Sequence, residues 1–444
     1  MAGTTRIIPP SVDRIVRALD SLDVPDRVKA DAARQSVEVV KRVGAPSEFD
    51  EIVSMASEFV AKDRAPSPKP VINMSGVILH TGLGRARFSQ PVMERAIASL
   101  ASHSAVEFDV ESGHRGDRQD LVRDLLCSLT GAEDSFVVNN CAAAVVLTLT
   151  ALCQGKEVVL SRGQMVEIGG SFRMPDIVES SGCRLVEVGC TNKTRVSDYE
   201  AVLRESSGAI LRCHPSNFRL IGFTAEPTAR ELSQLARKWD TILIDDLGHG
   251  CLVDTTRFGL PKERTISEAV KDGANLVLAS GDKLMGGPQC GIILGDRDLV
   301  STIARHPLAR AMRVDKLTLA FLEATLKMYR DGRELEIATW RYASRPIPDV
   351  KRDALAVSKA YQGTATVEPS ETQMGGGSMP ETGIASFCAR LSTSDADALL
   401  KRLRLLPFPV IGRIEKGAVM LDPRTCEPDE LKVVCAQLKT VVNP

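Results

Sequence analysis

The chain has no apolar run long enough to span a membrane, and its first residues, Met1-Ala-Gly-Thr-Thr-Arg6, open no signal peptide. It carries no excess of charge: a formal net charge of −1 gives no overall electrostatic footprint for nucleic acid. Its eleven cysteines show no Cys-x-x-Cys pairing. Cys127, Cys153, Cys388 and Cys435 lie in apolar runs as small core residues, so a reduced, cytoplasmic protein is expected. The six histidines (His80, His103, His114, His214, His249, His306) lack metal-ligand spacing, and no metal is expected. No Gly-x-Gly-x-x-Gly with a later ribose-binding acid is present, nor a Walker-type lysine loop, which disfavours nicotinamide and P-loop chemistry. There is no internal repeat and no low-complexity tract. At 444 residues the chain is too long for one small core, so two or three domains are expected.

What is present falls into three parts. Residues 1–64 read as a helical unit. Pro9-Pro10-Ser11 caps a first helix through about Leu22, a second runs from about Asp26 to Val43, and Ser47 with Asp50 resembles a capping box for a third. Its acids and bases nearly balance. Ala65-Pro-Ser-Pro-Lys-Pro70 is a stiff linker (65–70). From 71 to about 330, short apolar strands alternate with helical patterns: Ser135–Val138, Val158–Ser161, Leu185–Val188, Ala209–Cys213, Thr241–Ile244, Leu276–Leu278 and Gly291–Leu294. That alternation predicts an α/β domain with a mainly parallel sheet covered on both faces, its ligands bound beyond the carboxyl ends of the strands. From 331 to 444 a long helix, Ile384–Leu391, the helix Asp395–Leu405, and the pair Ile411–Ile414 and Ala418–Leu421 predict a smaller α+β domain.

Three strand ends carry chemistry. After Phe136-Val137-Val138, the run Asn139-Asn140-Cys141-Ala142-Ala143-Ala144 opens an apolar helix, whose free N–H groups suit a phosphate. After Ile242-Leu243-Ile244 stand two acids, Asp245 and Asp246; one is expected to face solvent and the other a cation such as a protonated pyridine nitrogen. After Leu276–Ala279 come Ser280-Gly281-Asp282-Lys283, then Gly286-Gly287. A lysine so placed suits an amine that loses its proton and forms a Schiff base with a carbonyl cofactor. A phosphate site, a ring-nitrogen acid and an aldehyde-binding amine, in that order, form the pattern of a pyridoxal phosphate (PLP) enzyme with the aspartate-aminotransferase-like fold.

Longer stretches resemble a known family. Val71–Ala86, Val138–Ala144, Ser161–Pro175, Ser216–Phe223, Ser280–Gly291, His306–Lys316, Gly375–Pro380 and Pro407–Arg413 are similar to bacterial selenocysteine synthase, the L-seryl-tRNA(Sec) selenium transferase family. The resemblance covers essentially everything after residue 70, and residues 1–64 sit where that family keeps a tRNA-binding domain. It implies PLP on Lys283, Asp246 on the pyridine nitrogen, Asn140, Cys141, Ala142 and Ser280 near the phosphate, and His249 also at the cofactor. It implies that seryl-tRNA(Sec) loses its α-proton and hydroxyl to an aminoacrylyl species, which takes up selenium from selenophosphate. Arg85, Arg310 and Arg313 fall on arginines that hold the anionic donor, and Thr191 falls on the substrate side. A homo-oligomer built from dimers, as large as a decamer, is implied as well.

Four positions depart from the family pattern: Gly82 and Cys141 stand for asparagines, Cys190 for a threonine and His249 for a serine. All four are expected near the pocket, and all leave the cofactor anchor intact. Two other readings therefore stay open. One is a PLP lyase or transferase of the same family acting on a small amino acid, such as an amino-sugar-acid ammonia lyase; the other is a non-catalytic relative that binds tRNA or protein.

Overall fold

The computed structural model describes residues 9–43, 48–64, 67–170 and 172–441. Met1–Arg6, Ser47 and the start of the linker, Ala65 and Pro66, lie outside them. The chain forms two compact units, divided at Pro70.

The first unit is helical. Ser11 accepts a hydrogen bond from the Arg14 N–H and starts Val12–Ala18. This helix stops short of Leu22, because Asp20, Ser21 and Asp23 favour turns and Pro25 pushes Val24 toward extended backbone. Asp26–Val43 and Phe49–Arg64 follow. Their apolar faces close one core, from Ile15 and Leu19 through Ala33 and Val40 to Ile52, Ala56 and Val60.

The second unit is built on a seven-stranded sheet. Its strands are β1 (Asp134–Val138), β2 (Glu157–Ser161), β3 (Arg184–Val188), β4 (Ser207–Cys213), β5 (Ile242–Asp246), β6 (Leu276–Ser280) and β7 (Gly291–Gly295). Their spatial order is 3-2-4-5-6-7-1, parallel throughout except for β7. β2, β6 and β7 are buried along their whole length and β1 and β5 at all but their first residue, which explains their apolar character.

β5 runs two residues further than its apolar stretch, so Asp245 and Asp246 are both strand residues and point to opposite faces. The expectation that one acid faces solvent is therefore corrected. Asp245 is wholly buried between Arg212, at 3.1 Å, and Arg264. Asp246 faces the other way.

Residues 331–444 hold the helix Ile347–Ala360, the helix Ala396–Arg404 and a four-stranded antiparallel sheet: β8 (Ala365–Gly375), β9 (Ser378–Leu391), β10 (Arg413–Glu415) and β11 (Ala418–Leu421), in the order 8-9-11-10. β8 has no apolar signature because it is an edge strand, with Glu368, Glu371 and Thr366 toward water. The β8–β9 turn is made by Gly375-Gly376-Gly377, all at positive φ. The segment Ile72–Asn73 pairs in parallel with Val410–Ile411 and ties the start of this unit to its end.

Candidate active site

The carboxyl ends of β1, β5 and β6 converge on one cavity of about 210 Å³. At the end of β1, the Asn140 side chain accepts the Ala143 N–H at 2.8 Å and caps the helix Cys141–Cys153. The first N–H groups of that helix have no partner within it and point outward as an anion site. β7 begins beside this cap, and only a glycine fits at 291: a Cβ there would collide with the Asn140 carbonyl.

At the end of β5, Asp246 is followed by Leu247 and by Gly248 at φ +68°. A Cβ on Gly248 would stand 4.0 Å from both Asp246 Oδ1 and Lys283 Nζ, so its bare backbone keeps open the space between carboxylate and amine. At the end of β6, the Ser280 hydroxyl donates to Asp282 Oδ1 at 2.8 Å, and Arg85 holds Asp282 Oδ2 at 2.6 Å. Arg85 keeps this contact from a left-handed backbone, φ +62°, a strained conformation for a non-glycine residue. The turn after Ser280 is buried, and Lys283 with it.

The electrostatics follow from that burial. Burial pushes the Asp246 carboxyl up to about 6, while the Lys283 charge pulls it down. Cys141 Sγ lies 3.8 Å from Asp246 Oδ1. Burial, reinforced by the Asp246 charge, raises its thiol well above the usual range and disfavours the thiolate.

This set fits PLP group by group. Lys283 offers an amine that could hold the aldehyde, the helix N-terminus with Ser280 beside it could hold the phosphate, and Asp246 is a buried carboxylate that a ring-nitrogen cation would pair.

Lys283, Asp246, Asn140, Cys141, Ala142, Ser280 and Arg85 line this one cavity, together with Phe172, Gly248 and Gln289. Arg310 and Arg313 do not. They line a neighbouring cavity of about 470 Å³ with Glu107, Arg115 and Arg118; Arg313 also shares a wide cleft of about 770 Å³ with Arg85. Thr191 lies on a cavity of about 310 Å³ at the ends of β2, β3 and β4. His249 is fully buried and outside the lining of the Lys283 cavity. Of the four departures only Cys141 lines that cavity; Gly82 and Cys190 are exposed. The sequence also concealed a cluster: donor atoms of His214, His249 and Glu263 gather within 4.8 Å of one another from three separate segments, so linear spacing carries no sign of it.

The strand order, the antiparallel β7 and the lysine–aspartate–helix arrangement define a PLP-dependent enzyme of the aspartate-aminotransferase-like fold. A solved structure of D-glucosaminate-6-phosphate ammonia-lyase shares this fold, with a TM-score of 0.59 and 21% identity, covering 84% of this chain and 95% of that one. The family model described as L-seryl-tRNA selenium transferase matches residues 71–427. An L-seryl-tRNA(Sec) selenium transferase from Methylocella silvestris is 42% identical over 95% of this chain and 94% of its own length. One from Desulfotalea psychrophila is 46% identical over 84% and 83%. The chain belongs to the L-seryl-tRNA selenium transferase family.

Proposed function

We propose that this chain converts the seryl group of seryl-tRNA(Sec) to selenocysteinyl, with selenophosphate as the selenium donor. The observation that carries the reading is the convergence of Lys283, Asp246 and the capped helix N-terminus on one cavity, in a chain of this family. PLP, when bound, supplies an electron sink for negative charge at the substrate Cα. The protein's own residues do the rest. Asp246 keeps the ring nitrogen positive, and the helix N-terminus holds the phosphate end. Lys283, with its amine on the cavity wall, takes the α-proton and returns it. The closed turn around Lys283 keeps water from the reacting carbon. Arg85 stands at the boundary of this cavity and the wide cleft that Arg313 also lines, where guanidinium groups draw in a phosphate-type dianion; Arg310 adds charge nearby.

In this reading Thr191 and the helical unit before Pro70 serve the tRNA, and the enzyme works in the cytoplasm as a homo-oligomer built from dimers. His249 acts from behind the cofactor site. No helix among the described residues is long and apolar enough to cross a membrane. The test is substrate choice by the PLP-loaded protein, with selenophosphate and either seryl-tRNA(Sec), seryl-tRNA(Ser) or free L-serine. Turnover of seryl-tRNA(Sec) above both others is expected. Preference for free amino acids would replace this reading with a small-molecule lyase or transferase.

A further inference from the structure

The cavity at the ends of β2, β3 and β4 opens one strand away from Asp246, since β4 neighbours β5 in the sheet. His214 links the two. Its backbone N–H donates to the Asp246 carbonyl at 2.9 Å, and its ring lines the outer cavity beside Glu263. Behind it lies His249, whose carbonyl accepts the Leu284 N–H at 2.9 Å and is thereby tied to the Lys283 turn. The two imidazoles meet edge to face, their centres 5.1 Å apart.

Proton positions propagate through this cluster. The Cys251 N–H donates to His249 Nδ1 at 3.2 Å, so the neutral His249 ring carries its proton on Nε2, which stands 3.3 Å from Glu263 Oε1 without completing a hydrogen bond to it. Burial holds His249 below its ordinary titration range and hence neutral. Burial alone would raise Glu263, but the contacts from His214 and His249 prevail and hold it well below the carboxylate range. Oε1 also accepts the Arg264 N–H at 3.1 Å. His214 Nε2 lies 3.2 Å from the same oxygen, and because a carboxylate can only accept, a hydrogen bond across that gap needs the proton on Nε2. With the single ring proton there, His214 Nδ1 is a bare acceptor, with no protein partner among the described residues. The three groups are also close enough for a metal ion. The proton on His249 Nε2, however, occupies the lone pair a cation requires.

We propose that Glu263 and His249 are positioning residues that fix His214 as its Nε2–H tautomer, and that His214 Nδ1 accepts a hydrogen bond from a hydroxyl of the substrate in the outer cavity. For the substrate this rests on the proposed function: a seryl ester on a ribose offers the serine hydroxyl and the vicinal ribose hydroxyl. Glu263 and His249 act only through His214.

The experiment is 15N-histidine NMR on sedimented holoenzyme, with H214N and H249Q to assign signals, alongside metal analysis. The expected spectrum shows His214 protonated on Nε2, and its Nδ1 signal moves when seryl-tRNA(Sec) binds, whether or not turnover follows. In the conversion assay H214Q and E263Q each lose roughly ten-fold in kcat/KM, and the H214Q/E263Q double variant is no worse than H214Q. H214N, which keeps an amide where Nδ1 stood, recovers much of the loss, and E263D recovers part of it. A wild-type His214 protonated on Nδ1, an Nδ1 signal unmoved by seryl-tRNA(Sec), additive losses in the double variant, or stoichiometric bound zinc would each overturn the proposal. A holoenzyme that binds seryl-tRNA(Sec) with the Nδ1 shift but makes no product refutes the proposed function and leaves this inference standing.

Discussion

Replacing Asp246 by asparagine separates what the fold needs from what the cofactor needs. In the cofactor-free chain, burial lifts the Asp246 carboxyl from 3.8 to about 6 despite the opposing Lys283 charge. The displacement is about two units, each worth ~1.4 kcal/mol, so the ionised carboxylate costs the cofactor-free fold about 3 kcal/mol at pH 7. The sign follows from linkage. The folded chain binds a proton more tightly than the unfolded one, so this cost is absent below pH ~3.8, grows as pH rises, and is complete above pH ~6. Asparagine keeps the shape without the charge. Cofactor-free Asp246→Asn is therefore expected to exceed wild type in stability by up to about 3 kcal/mol at pH 7, with the gap closing toward pH 4. In a unit of this size ~1 kcal/mol moves Tm by only about 1–2 °C, so denaturant titration at several pH values is the better assay. Added PLP should reverse the order, because the variant lacks the charge that pairs with the ring nitrogen. A variant no more stable than wild type at pH 7, or a gap that does not change with pH, would mean that burial does not raise the Asp246 carboxyl.

Other consequences are as direct. Lys283→Ala should abolish the yellow absorbance of the PLP-loaded protein and all Lys283-dependent turnover, as read by spectrophotometry on dialysed protein; retained colour would contradict the assignment of Lys283. Gly250→Ala should destabilise the second unit by roughly 3 kcal/mol or more, measured by denaturant titration, because at φ +68° the added Cβ would collide with the Ser280 carbonyl beside the Lys283 turn. A chain beginning at Val71 should still fold and bind PLP, since residues 71–444 form their own compact unit, but should lose turnover of seryl-tRNA. Arg85→Ala should raise KM for selenophosphate about ten-fold or more in steady-state kinetics at saturating PLP.

The convergence of Asn140, Asp246 and Lys283 on one cavity was legible because these residues interrupt apolar strands. Asn140, Asp246 and Lys283 each follow a run that can only be buried, so a polar group there calls for a ligand. The same logic failed at Asp245. Its partners Arg212 and Arg264 lie 33 and 19 residues away, and nothing local tells a buried ion pair from a solvated acid. Strand β8 escaped notice because an edge strand needs no apolar face. The first helix ends early because the apolar spacing of Leu19 and Leu22 persists past the turn that stops it. The His214–Glu263–His249 cluster was illegible because its members come from the end of β4, the loop after β5 and a later connection, and only the folded sheet brings those together.

A Lys283-centred PLP site that makes selenocysteine on tRNA must show that product within one turnover. The most direct measurement is a single-turnover reaction of the PLP-loaded protein with seryl-tRNA(Sec) and selenophosphate, the aminoacyl group identified by mass spectrometry, with Lys283→Ala alongside. Selenocysteinyl-tRNA from the wild type and unchanged seryl-tRNA from the variant is the predicted result. Unchanged seryl-tRNA from a fully PLP-loaded wild type would show that this site does not make selenocysteine.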